Sequence, residues 1–273
     1  MTALAANSLV VRRGGATLID DLSLSLGPQG SVAVIGPNGA GKSTLLRTLA
    51  GIDAPTAGQV RLGGRDLGAL ASAERARAIG FLPQTFEPHW DLSVADLLEL
   101  GAARAGALPA GAIDRAKRAF ELAGLEKRRW STLSGGERAR VLLATVLAVD
   151  PPVLIADEPS AALDIRHRLE TIRTLAARGR GQVGDGRLSI VVVHDLDLAF
   201  HFFERIVLLA KGRLVADEPA DRLIHDPRLD EVFGIRFERL KVGERWMLTP
   251  SPTSPLAGRA IAFGQKSPSS RAE

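Results

Sequence analysis

Residues 21–26, DLSLSL, alternate polar and apolar side chains without a break, the pattern of a strand with one face on a core and the other in water. SVAVIG (31–36) is apolar throughout and reads as a fully buried strand. GQVRLGG (58–64) predicts another strand between glycines, and AIGFLPQ (78–84) one that Pro83 stops. From Ser93 to about Val149 the spacing becomes helical. Ser93 with Asp96 forms a capping start for VADLLELGAARAG, and AIDRAKRAFELAG (112–124) ends on a glycine. Strands and helices then alternate: PVLIAD (152–157), a helix over 165–178, LSIVVVHD (188–195), a helix over 196–203, and RIVLLA (205–210). Such alternation predicts a parallel sheet with crossover helices, into which the helical block of about 86–150 is inserted as a subdomain. Residues 1–248 are read as one domain. From Thr249 on, Ser and Pro dominate, and 249–273 are expected to be a disordered tail.

Composition narrows the class. The chain has 273 residues, 45% hydrophobic and 24% charged, within the range of ordinary globular proteins. Its most apolar stretch, Val141 to Val149, is far shorter than the roughly 20 residues that span a bilayer. The start lacks the features of a secretory leader, so a cytoplasmic location is expected. With no cysteine, disulfides and thiol catalysis are excluded. Half of the formal net charge of +4 comes from the tail (Arg259, Lys266, Arg271, Glu273), and aromatic residues make up only 4%. Charge and stacking capacity therefore give little support to nucleic acid as a partner, and none is expected.

The first chemistry-bearing stretch is VAVIGPNGAGKSTLLRTLAG (32–51), a buried strand, a glycine-rich loop and an amphipathic helix. Gly36, Gly41, Lys42 and Ser43 match G-x-x-x-x-G-K-[ST], so Gly36, Pro37, Asn38, Gly39, Ala40, Gly41, Lys42, Ser43 and Thr44 are the expected cradle for the phosphates of ATP. Lys42 is suited to neutralise the β- and γ-phosphates, and the Ser43 hydroxyl to ligate Mg2+. The second stretch, VLIADEPSAALD (153–164), runs from four apolar residues into Asp157 and Glu158 at a strand's carboxyl end, where open α/β sheets bind their ligands. Asp157 is the candidate Mg2+ residue, and Glu158 the candidate for positioning and polarising the attacking water. His194, at the end of SIVVVHD, is a candidate donor to the γ-phosphate. Gln84, closing GFLPQ, is the polar residue that can touch Mg2+ and the water.

LSGGE (133–137) raises a separate question. Ser134 and Glu137 form a capping box. Gly135 and Gly136, however, occupy first-turn helical positions where each costs about 1 kcal/mol against alanine. Nothing in the phosphate loop needs them. A second helix N-terminus makes sense if it serves the γ-phosphate held by another copy of the chain, with two copies about a two-fold axis sharing two composite sites.

GPNGAGKST, Gln84, LSGGE, ADEP, SAALD (160–164) and His194 resemble, in order and spacing, the Walker A, Q-loop, signature, Walker B, D-loop and H-loop of ATP-binding cassette (ABC) ATPases, over about residues 5–235. The resemblance implies an α/β P-loop NTPase fold: a RecA-like parallel-sheet core, an N-terminal antiparallel β subdomain and the inserted helical subdomain. It also implies a head-to-tail homodimer sandwiching ATP and Mg2+, with Ser134, Gly135, Gly136 and Glu137 on the partner's ATP. In that scheme Glu158 is the general base, His194 the γ-phosphate switch and Asp164 the link between sites. Transmembrane permease subunits follow as partners on the inner membrane face, and a solute-binding protein indirectly. ALDIRHRLE (162–170), DEVFGIRFE (230–238) and SVADLLELG (93–101) resemble segments of ATPases serving iron–siderophore, haem and cobalamin importers, with other metal importers as rivals. A soluble ABC ATPase of nucleic acid, ribosomes or iron–sulfur assembly is the alternative. LSGGE and the His194 strand argue against a P-loop kinase.

Two departures stand out. Where many members stack an aromatic residue on adenine, VVRRGG puts Arg13, whose planar guanidinium can also stack on a ring; an exposed arginine on an edge strand is the other reading. Thr145 stands where arginine is common. Trp90 is read either as partly buried in the helical subdomain or as the lip of a groove for a permease helix.

Overall fold

In the computed structural model of the chain, which describes residues 3–104, 108, 110–180, 186–243 and 245–251, the alternation of 21–26 is realised residue by residue. Leu22, Leu24 and Leu26 are buried, while Asp21, Ser23 and Ser25 face water. They end a hairpin of β1 (Leu4–Arg13) and β2 (Ala16–Leu26), which leads through β3 (Gly30–Ile35) to α1 (Lys42–Leu49), β4 (Ala57–Leu62) and the short β5 (Arg65–Asp66). β4 returns to pair antiparallel with β1, giving a four-stranded sheet in the order β2-β1-β4-β5.

A helix, α2 (Ser72–Ala78), precedes β6 (Ile79–Leu82); it buries none of its residues and so leaves no apolar stripe to read from sequence. The helical block follows as α3 (Val94–Ala103), α4 (Ala112–Ala119) and α5 (Gly135–Leu147). Next come β7 (Val153–Asp157), α6 (Ile165–Gly179), β8 (Leu188–Val192), α7 (Leu196–Phe202) and β9 (Arg205–Ala210). The chain closes with β10 (Arg213–Pro219), α8 (Ala220–Leu223), α9 (Pro227–Phe233), β11 (Phe237–Val242) and β12 (Arg245–Pro250). The second sheet has the order β10-β9-β3-β8-β7-β6, parallel throughout except for β10 at its edge.

β3 shows why an all-apolar strand belongs at the centre. Val32 and Val34 join the core shared with α1 and the antiparallel sheet, whereas Ala33 and Ile35 join the core under α6 and α7. A strand covered on both faces has no polar side to show. The helical block has its own core around Val94, Leu98, Leu122, Trp130 and Val141. There α3 and α5 approach so closely that a Cβ on Gly101 would lie 2.4 Å from Thr145 Cγ2 and 2.9 Å from the Thr145 carbonyl oxygen. Thr145, the departure from arginine, is thus a packing surface.

Two boundaries and one strand position differ from the sequence expectation. α4 stops at Ala119, five residues before the glycine that was to end it, because Glu121 adopts a left-handed backbone (φ +51°). β12 runs through Thr249 and Pro250 into the segment expected to be tail; residues 252–273 of that tail lie outside the described residues. β1 lies between β2 and β4, so Arg13 is not on an edge strand.

Candidate functional site

The phosphate loop is built where β3 ends. Gly36 (φ +149°) passes so near β9 that a Cβ would lie 2.2 Å from the Leu209 carbonyl oxygen. At Gly41 (φ +96°) a Cβ would meet the Leu18 carbonyl oxygen at 2.7 Å. The fold itself therefore requires both motif glycines. Gly41 also opens α1 without a capping side chain, leaving the helix's first N–H groups to the loop. Lys42 is buried, and its ammonium donates to the carbonyls of Gly36 (2.7 Å) and Pro37 (3.0 Å). Burial holds its pKa below the ordinary lysine value, against the opposing pull of Glu158 and Asp157.

Asn38 to Thr44 line a cavity of about 770 Å3 together with Gln84, Glu158 and His194. β7 and β8 deliver the acidic and imidazole groups to this end of the sheet because they run parallel to β3. Glu158 follows β7 directly and is held at φ +51°, a conformation a glutamate adopts only under local constraint. Its carboxylate is gripped from both sides. The Gln84 amide donates to Oε2 at 2.7 Å, and His194 Nε2 pairs with Oε1. The Glu158 side chain is 13% exposed and that of His194 48%, so one carboxylate gathers both polar partners where the cavity opens to solvent.

Asp157 sits deeper, at 3% exposure, and its Oδ1 has no hydrogen-bond partner. Burial pushes its pKa up, and a hydrogen bond with Ser43 opposes that shift. A buried carboxylate oxygen left unmatched beside a serine hydroxyl suits a hard divalent cation with oxygen ligands, so the residues present fit Mg2+.

The sequence reading missed part of the wall. Thr17 and Leu18 of β2, with Lys211 and Gly212 from the β9–β10 turn, also line the cavity. Gly212 N donates to Ala40 O at 3.0 Å, and Gly212 O accepts from Asp20 N at 2.9 Å, so this turn ties the loop to β2. The dipeptide Lys-Gly marks a turn, but no local signal places it beside a loop so distant in sequence.

Other motif residues stay apart from this cavity. Ser134 caps α5 in a capping box with Glu137, and these residues do not line it. A Cβ on Gly135 would come no closer than 3.7 Å to Ala162 Cβ, and one on Gly136 no closer than 3.5 Å to the Ala162 carbonyl oxygen. These are ordinary contacts, so nothing among the described residues demands glycine at either position. Asp164 caps α6. Arg13 reaches Asp53 Oδ2 at 3.1 Å, sharing it with Arg47, and is 65% exposed. Trp90 is 71% exposed, which rules out the partly buried reading.

The comparisons agree with this geometry. Residues 19–161 match the ABC transporter family. A hemin import ATP-binding protein of Bordetella pertussis (strain Tohama I) is 42% identical over 250 residues, covering 87% of this chain and 94% of its own. A cobalamin import ATP-binding protein of Halobacterium salinarum is 37% identical over 272 residues, covering 97% of this chain and 66% of its own. Among solved structures, a dimeric ATP-binding cassette in a post-hydrolysis state with ADP and Pi superposes with a TM-score of 0.71 at 26% identity, over 80% of this chain and 98% of that one. Loop, paired carboxylates, family match and relatives converge, and the chain belongs to the ABC transporter family as one of its ATP-hydrolysing cassettes.

Proposed function

We propose that this chain is the motor subunit of a membrane importer for an iron-chelate, haem or cobalamin-like solute. It binds ATP as a head-to-tail homodimer on the inner membrane face, against separate permease subunits that receive solute from a binding protein. The names of the relatives support the solute group. Among the described residues no helix is long and apolar enough to cross a membrane, and this reading assigns the span to the permease subunits.

The observation that carries the catalytic reading is Glu158, with Gln84 and His194 on its two oxygens at the mouth of the phosphate loop. In-line phosphoryl transfer needs a positioned water, and a constrained carboxylate held between two partners is a base placed for it. With ATP bound, Glu158 takes a proton from the attacking water. His194 Nε2 turns from the carboxylate to donate to the γ-phosphate, and the Gln84 amide orients the water. Asp157 and Ser43 would hold Mg2+, which supplies charge neutralisation at the β- and γ-phosphates. Lys42 is released from its own loop carbonyls to the same oxygens. Arg13, held by Asp53 and Arg47 as a cluster, offers its planar face to the adenine.

The two signature glycines support the dimer reading. They carry a helix-propensity cost that no contact among the described residues repays, and a partner's phosphate approaching the α5 N-terminus would explain it. The exposed Trp90 is the candidate contact for a permease helix.

The test is uptake of radio-iron as haem or as a ferric siderophore in cells carrying wild-type protein or Glu158→Gln at equal abundance. Loss of uptake in the variant establishes the importer motor and the solute group. Equal uptake removes that solute as cargo.

A further inference from the structure

Outside the ATP cavity, a continuous set of polar contacts joins the D-loop to the signature helix. Asp164 Oδ1 accepts from the His167 backbone N–H at 2.9 Å, and His167 Nδ1 lies 3.0 and 2.9 Å from the two Asp164 oxygens. The other ring nitrogen, Nε2, meets the Arg166 guanidinium at 2.8 Å and Glu121 Oε2 at 3.3 Å. The ring thus stands between two carboxylates, Nδ1 facing Asp164 and Nε2 facing Glu121 with the Arg166 guanidinium beside it.

Glu121 is the hub on the other side. The two terminal nitrogens of Arg166 contact its two oxygens at 3.1 Å each, and Arg166 also reaches Glu170 at 3.4 Å. The hydrogen bond from Arg166, reinforced by His167, pulls the Glu121 carboxyl down to about 2, so it is ionised at any physiological pH. Its left-handed backbone turns the carbonyls of Phe120 and Glu121 toward Arg140, whose Nη1 donates to them at 3.1 and 3.0 Å. Arg140 belongs to α5, the helix that Ser134 caps. A cavity of about 700 Å3 lies among α4, α5 and α6 beside these contacts. Below this groove Leu143 and Val146 of α5 share an apolar core with Leu163 and Ile172, and the polar contacts extend that join to the surface.

We propose that Glu121 and His167 are positioning residues that lock Asp164 to α5, so that the two segments presented to a partner's nucleotide, signature and D-loop, move as one body. This rests on the sandwich-dimer reading above. A chain lacking the lock binds ATP normally at its own loop but presents the partner-facing half of the site in a scattered geometry.

The test uses Glu158→Gln as the parent and measures, by light scattering, the ATP concentration at which the full-length chain is half dimeric. His167→Ala and Glu121→Ala are each expected to raise it by at least about fivefold, the low end of ordinary site-to-site coupling. Because both act through one path, the double variant should be no worse than either single one. ATP affinity of the monomer, read with a fluorescent analogue, stays at the parent's value, which a general loss of fold would not allow. His167→Asn guards against a capping defect: its amide nitrogen replaces Nδ1 toward Asp164 but does not extend to Glu121. The lock requires it to show the same dimer defect as Glu121→Ala. Dimerisation of His167→Asn at the parent's ATP concentration overturns the lock, as do additive effects or unchanged dimerisation in the alanine variants. A parent that never dimerises with ATP overturns the sandwich reading and is seen before any residue of the bridge is altered.

Discussion

Asp157 and Ser43 are hydrogen-bonded at the floor of the phosphate site, and the second oxygen of that aspartate is buried with nothing to accept from. The pairing joins the end of β7 to the first turn of α1, and it leaves a charge in place at a cost in stability. Burial raises the Asp157 pKa above its ordinary value of 3.8. Between those two values the folded chain holds a proton that the unfolded chain has lost, so stability falls as pH rises through that window.

Asp157→Asn removes the charge and keeps the shape. The variant is expected to melt a few degrees higher than wild type above that window (about 2–4 °C per kcal/mol for a chain of this size) and to lose its stability change across it. It should also lose Mg2+-stimulated hydrolysis. Melting curves against pH, with phosphate release at varied Mg2+, check both halves.

Glu158→Gln keeps a hydrogen-bonding partner for Gln84 and His194 but cannot take a proton. Hydrolysis is expected to fall by about 10²–10⁴-fold, the usual worth of a general base, while ATP binding persists. Single-turnover phosphate release beside equilibrium binding makes the distinction. A wild-type rate would move the base elsewhere.

Gly135→Ala with Gly136→Ala tests the signature glycines against the fold. Inside the chain the added methyl groups have room, and helix propensity favours alanine by up to about 1 kcal/mol per site. The double variant should therefore be at least as heat-stable as wild type and bind ATP as a monomer, yet turn over poorly. Ser134→Arg should abolish turnover with the same binding intact. A normal rate in either would place the signature outside the reaction.

Arg13→Ala is expected to weaken ATP binding several-fold with little change in stability, since the Arg13 side chain is exposed and Asp53 keeps its pairing with Arg47. Arg13→Tyr should recover the affinity by stacking. Unchanged affinity in the alanine variant would remove Arg13 from the adenine site.

Much of this protein is legible in one dimension because its signals are local. A buried strand running into GPNGAGKST must turn at glycine before the helix starts, and VLIAD must be a strand covered on both faces. Ser93 and Ser134 each announce a capping box that the fold then contains, because the box closes within four residues and needs no help from elsewhere. The β11–β12 hairpin was not legible: Leu240, Val242 and Met247 stay exposed, so its pattern shows no clean buried face.

What three dimensions decided is which distant groups meet. The sequence holds Gln84, Glu158 and His194 as ends of three separate strands; only their parallel order in the sheet sets two of them on the carboxylate of the third. Lys211 and Gly212 line the cavity because β9 lies beside β3, and α4 stops where Glu121 turns left-handed, a turn whose carbonyls accept from the distant Arg140. Backbone pattern is written in neighbours along the chain, whereas a carboxylate held between two distant partners or a bridge such as Glu121–His167 exists only once the sheet and helices have packed.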